Sequence, residues 1–186
     1  LLEGSRGTGK SFLMRVAELK IENEKKNSVA VFVSFNISSL INTSDLLQFY
    51  HWMLAKTLKA LLNTLRKRGL VVSKHSANLL SNDESENEND IEKDLKDIVK
   101  AFESSYKGSS NINLETLPDI EDVKDAIEHI CRDNKLERIY IFFDEAAHVF
   151  RPEQQRQFFS LYKDLRSPYI TCNAAIYPGV TYFGDS

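Results

Sequence analysis

The chain has 186 residues, 42% hydrophobic and 27% charged, with 24 Lys and Arg against 27 Asp and Glu. That length suits one ordinary domain with a real core, and the composition excludes collagen-like, wholly disordered and disulfide-framework classes. A formal net charge of −3 excludes nucleic-acid binding through a bulk positive field, so any such binding has to be local or lie in a further part of the protein.

In chain order, Leu1-Leu2-Glu3 reads as the tail of a strand, followed by the Gly-rich turn Gly4–Gly9. A helix is predicted from Lys10 to about Lys25, with Phe12, Leu13, Val16, Ala17 and Leu19 on its inner side. Residues 29–35 (VAVFVSF) form a short β-branched run that suits a strand buried on both faces of a parallel sheet. An apolar stripe from Leu46 to Leu65 predicts a long helix, closed by Arg66-Lys67-Arg68-Gly69, since cations and Gly favour a helix C-terminus. Residues 81–90 (SNDESENEND) carry five acids and no base, which predicts an acidic flexible loop over about 73–90.

Two amphipathic helices follow, one carrying Ile91, Leu95, Ile98, Phe102 and Tyr106, the other opening at Pro118-Asp119. Residues 139–143 (IYIFF) are a second buried-strand run ending at Asp144-Glu145. A helix is predicted over 152–166, then a third strand over 169–177 (YITCNAAIY), stopped by Pro178-Gly179. Strands alternating with helices imply a mostly parallel sheet covered on both faces. The absence of an initiator Met and the abrupt end at Ser186 predict a core cut from a longer chain. Two cysteines without CxxC spacing, Cys131 and Cys172, fit a reducing, cytoplasmic setting. No apolar run approaches the ~20 residues that span a bilayer.

Two motifs carry chemistry. Gly4-Ser5-Arg6-Gly7-Thr8-Gly9-Lys10-Ser11 matches GxxxxGK[ST] between a strand-like run and a helix. Phosphate oxygens have to be met by successive backbone N–H groups, which glycines permit, and a helix N-terminus adds its dipole. Lys10 supplies a point charge and the Ser11 hydroxyl a Mg²⁺ ligand, so residues Gly4 to Ser11, with the adjoining Phe12, form the expected nucleotide-binding set. Downstream, the strand 139–143 delivers two adjacent carboxylates at its C-terminal end, where ligands bind in parallel sheets. Asp144 is expected to hold Mg²⁺ and Glu145 to polarise the attacking water.

GSRGTGKS (Walker A) and IYIFFDE (Walker B with an adjacent glutamate) resemble the P-loop ATPases with a catalytic glutamate, a class that includes AAA+ proteins and signal-transducing STAND ATPases. The segment YITCNAAIYPGV resembles the strand that carries the sensor-1 residue in AAA+ proteins of the origin-recognition-like branch. The resemblance covers 1–35 and 138–180 and leaves a helical insertion of about 36–137. It implies a three-layer α/β/α sandwich with strand order 5-1-4-3-2, the fifth strand lying beyond this fragment together with the arginine finger and sensor 2. It implies ATP and Mg²⁺ as cofactors, and self-association or partner subunits. Nucleic acid is an open partner of the full-length protein, and no membrane is implied. Sensor 1 in that family is Asn or Thr near the strand's end; Asn173 and Thr171 are of that type, and Tyr177 occupies the terminal position.

Other residues read as structural. Arg151, Arg156 and Arg166 are expected in surface salt bridges, and His148 in a local hydrogen bond at a helix start. A GTPase reading fails because Ala147 stands where DxxG needs Gly, and Asn134-Lys135-Leu136-Glu137 precedes the carboxylate strand rather than following it. The expected function is Mg²⁺-dependent ATP hydrolysis coupled to conformational change. The alternatives are a STAND-like switch gating an effector and, behind it, a P-loop phosphotransferase, against which Glu145 argues.

Overall fold

The computed structural model describes residues 1–35, 46–81, 88–104, 117–146 and 151–177. Its centre is the pairing of the two β-branched and aromatic runs. β1 (Leu2–Glu3), β2 (Ser28–Ser34), β3 (Arg138–Asp144) and β4 (Ile170–Ile176) form one sheet in the order β1-β4-β3-β2. All pairings are parallel: Ser28↔Arg138 through Ser34↔Asp144, Ile139↔Ile170 through Phe143↔Ala174, and Leu2↔Ala175 with Glu3↔Ile176. This is the order that the resemblance implies for strands one to four. Because every strand runs the same way, Glu3, Ser34, Asp144 and Ile176 end on one edge of the sheet, the edge from which the Gly-rich turn departs.

Alternation along the strands divides the core in two. Val29, Val31, Val33, Ile139, Ile141, Phe143, Cys172 and Ala174 enter the larger cluster, shared with α2 (Leu46–Lys67), α3 (Lys74–Ser81), α4 (Glu88–Ser104), α5 (Ile120–Asp133) and α6 (Pro152–Asp164). Ala30, Phe142 and Ala175 face the other way and meet Met14 and Ile21 of α1 (Lys10–Glu24). Helices therefore cover both faces, unequally.

The rotation of α1 differs from the expectation. Lys10, Met14 and Ile21 are buried, whereas Phe12, Leu13, Val16 and Leu19 are exposed. Positions 10, 14, 17 and 21 share one helical stripe, and Lys10 is held by the preceding turn, so the lysine sets which face meets the sheet.

The helical insertion is part of the main core. Trp52 of α2 lies 5.6 Å from Phe35, which stacks on Phe143 of β3 at 5.8 Å, and Phe143 meets Phe158 of α6 at 5.5 Å. The loop expected over about 73–90 is helical at Lys74–Ser81 and again from Glu88. The missed signal is an N-cap: Ser73 Oγ accepts from the Ser76 N–H at 3.2 Å, and Ala77 and Leu80 are buried. At Asp119 the expected cap is present, its Oδ1 accepting from the Asp122 N–H at 2.9 Å. Tyr106, His148 and Pro178-Gly179 lie outside the described residues, as does the acidic stretch 82–87. Among the described residues no helix is long and apolar enough to cross a membrane.

Candidate active site

The turn between β1 and α1 is built by close approach and by left-handed backbone. A Cβ on Gly4 would lie 2.8 Å from Thr8 Oγ1, and Gly9 sits at φ +80° as the N-cap of α1. Thr8 Oγ1 donates to the Ser5 carbonyl at 2.8 Å, closing the turn on itself. Gly9 brings no capping side chain, so the first amides of α1 have neither an intrahelical acceptor nor a side-chain cap. On α5 the corresponding end is closed by Asp119, whose Oδ1 accepts from the Asp122 N–H at 2.9 Å. The open end of α1 offers N–H donors and the positive end of its dipole to an anion.

Lys10 belongs to the same cradle. Its Nζ donates to the carbonyls of Gly4 and Ser5, the latter at 2.7 Å, and the side chain is buried. The Tyr177 ring covers the ammonium, its centroid 3.8 Å from Nζ. Burial raises the Tyr177 hydroxyl pKa above its ordinary value; the charges of Asp144 and Glu145 add to this and Arg6 opposes it.

The two sequence motifs meet at Ser11. Its Oγ donates to Asp144 Oδ1 at 3.0 Å across 133 positions of sequence. Asp144 is buried and also accepts the Glu145 N–H at 3.0 Å. Glu145 adopts φ +63°, a left-handed conformation that is strained for a residue with a Cβ. Strain of this kind concentrates where a site over-determines the backbone. The hydroxyl and the carboxylate are hard oxygen ligands placed side by side, the chemistry that fits Mg²⁺.

No protein-family model, curated protein or solved structure matches this chain.

The expected site residues divide by position. Gly4, Ser5, Gly7, Thr8, Gly9, Lys10 and Ser11 form the turn and the start of α1, and Asp144 and Glu145 stand opposite Ser11. Arg6 is exposed on the turn, close enough for its charge to act on Tyr177. Phe12 is 70% exposed and points away from the core. Asn173 is not brought to the cradle: it pairs with Phe142 in mid-sheet and lines a separate apolar cleft with Leu1, Leu13 and Met14. Thr171 is farther still, at the start of β4, accepting from Arg138 at 3.2 Å. The register is the physical reason: Phe143 pairs with Ala174, so Asn173 and Thr171 stop short of the end where Asp144 stands, and the residue that leaves the strand there is the one after Ile176. Tyr177 is that residue, and its terminal position was the available signal.

Proposed function

We propose that this chain is an ATP-hydrolysing P-loop core of the catalytic-glutamate kind, AAA+-like, coupling nucleotide state to conformational change. The observation that carries the reading is the 3.0 Å contact between Ser11 Oγ and Asp144 Oδ1, which joins the phosphate-loop motif to the carboxylate pair. Ser11 and Asp144 would hold Mg²⁺, which supplies charge neutralisation to the phosphate oxygens. The first amides of α1 and the Lys10 ammonium bind and orient the phosphate chain. Glu145 accepts the proton of the water that attacks the terminal phosphorus, while Lys10 stabilises charge gathering on the leaving phosphate oxygen.

A second reading, a STAND-like nucleotide switch, draws support from the Tyr177 ring on Lys10, since a covered lysine favours a slow, gated site over rapid turnover. Self-association or partner subunits, and nucleic acid at a further part of the protein, belong to the same proposal. So does a cytoplasmic setting, which the two free, buried thiols of Cys131 and Cys172 support.

The test is phosphate release from ATP by the wild-type chain and by Lys10→Ala, with bound nucleotide analysed after turnover. Mg²⁺-dependent release lost in Lys10→Ala is the expected result. A single turnover with retained diphosphate selects the switch, and transfer of phosphate to an acceptor other than water selects the phosphotransferase.

A further inference from the structure

A second site lies at the opposite edge of the sheet, where β3 and β4 begin. Arg138, Lys163, Arg166, Ser167 and Thr171 line a cleft of about 350 Å³. Arg138 and Asp144 are the two ends of the seven-residue β3, six steps or roughly 20 Å apart at ~3.3 Å per residue, so this cleft is distinct from the phosphate loop.

Its polar lining consists of donors. Thr171 Oγ1 already accepts from Arg138 Nη1 at 3.2 Å, and Ser167 Oγ from the Tyr169 N–H at 3.2 Å, which leaves each hydroxyl its own hydrogen to give. Cys172 at the floor contributes no charge, because burial pushes its thiol up to about 12. Among the described residues, no side chain that lines the cleft carries a carboxylate or amide oxygen.

The three cations are also uncompensated. Elsewhere Arg15, Lys100, Lys124 and Arg132 each pair with an acid on their own helix. Among the described residues, Arg138, Lys163 and Arg166 have no carboxylate within ion-pairing distance, so the salt bridge expected of Arg166 is not made. In a chain with more acids than bases, three like charges converging on one donor-lined cleft are stabilised by an anion from outside. Two of the three are arginines, whose planar forks match tetrahedral oxyanions two hydrogen bonds at a time.

We propose that this cleft binds phosphate-type oxyanions, either free or carried in a phosphodiester backbone. Its volume is several times that of one phosphate group, which favours linked phosphates over a single ion. The assignment is independent of the ATPase reading.

The test uses the Lys10→Ala chain, so that the phosphate loop is silenced, and the same chain carrying Arg138→Gln, Lys163→Gln and Arg166→Gln. All three positions are exposed, and matched thermal melting confirms that the fold is kept. Pyrophosphate should shift the backbone amide resonances of Ser167 and of Tyr169, Ile170 and Thr171, with an affinity at least tenfold weaker in the triple variant. A short single-stranded oligonucleotide separates the two sources. If it binds, the slope of log affinity against log salt should fall by ~0.7 for each phosphate contact removed; if only pyrophosphate binds, the ligand is a free polyphosphate. Equal shifts with sodium chloride at matched ionic strength, equal shifts in the triple variant, or no shift at 167–171 overturn the proposal. Displacement of pyrophosphate by poly-glutamate at equal charge overturns the phosphate assignment in favour of an acidic protein segment.

Discussion

The Lys10 ammonium lies 3.8 Å from the centre of the Tyr177 ring while its hydrogens are given to the Gly4 and Ser5 carbonyls. A phosphate chain that takes this ammonium has to displace the ring. Cation–π contacts are worth ~0.5–1 kcal/mol at partly exposed sites. Tyr177→Leu should therefore tighten Mg²⁺–ATP binding by about twofold to fivefold in calorimetric titration, and Tyr177→Phe, which keeps the ring, should leave it unchanged. Weaker binding in Tyr177→Leu would show instead that the ring helps to hold the nucleotide.

Nucleotide binding should also register as stability. A ligand at ~100 times its Kd adds roughly 2.7 kcal/mol when it binds only the folded state. Mg²⁺–ATP should raise the Tm of the wild-type chain, and Lys10→Ala should abolish most of that rise. An equal rise in the variant would place the nucleotide elsewhere, and a larger rise with GTP would revive the GTPase reading.

Binding and chemistry separate at the carboxylate pair. Glu145→Gln keeps size and hydrogen bonding but cannot take a proton, so it should retain ATP binding and lose ~10²–10⁴-fold in turnover. Asp144→Asn should weaken both, because Asp144 is the acceptor of the Ser11 hydroxyl. Hydrolysis by Glu145→Gln at the wild-type rate would remove Glu145 from the mechanism.

Trp52 joins the helical insertion to the sheet through Phe35. Truncating a buried Trp costs ~3–5 kcal/mol. Trp52→Ala should lower global stability by that amount in denaturant melts, with helix and tertiary signals lost together. A loss below about 1 kcal/mol, or two separate transitions, would mark 46–133 as an independent appendage.

Alkali should destabilise the fold. Burial pushes the thiols of Cys131 and Cys172 from 9.0 to about 11 and about 12, and the Tyr50 hydroxyl from 10.0 to about 12. Above pH 9 the unfolded chain releases these protons before the folded one does, so stability present below pH 9 falls as pH rises through 11. Denaturant midpoints measured from pH 8 to 11 should decline, less steeply in Cys172→Ala. A flat profile would mean that these groups titrate freely in the folded chain.

Several elements were legible because their cause is local. Val29–Val33 and Ile139–Phe143 are apolar at consecutive positions, the pattern of a strand buried on both faces; β3 lies inside the sheet between β4 and β2, and β2 is its outer neighbour. The α3 helix was missed because a single serine cap and two apolar residues decide it, while the acidic run beside it dominates the composition. The inner face of α1 was misjudged because its sequence carries two apolar stripes. Counting favours Phe12, Leu13, Val16 and Leu19, yet the structure buries Met14 and Ile21 beneath Lys10.

By itself the sequence determined the residue types and spacing of the Gly-rich turn, the serine and lysine that follow it, and the carboxylates that end an apolar run. Those depend on chain-local chemistry: backbone that only glycine tolerates, and a strand that stops where charge begins. The tertiary structure decided which residues meet. Parallel register sets Asp144 against Ser11, takes Asn173 into mid-sheet and carries Tyr177 to Lys10. It likewise gathers Arg138, Lys163 and Arg166 into one cleft, although up to 28 positions of sequence separate them. Register is fixed by the packing of the alternate strand residues into two cores, a property of the assembled sheet that no single segment contains.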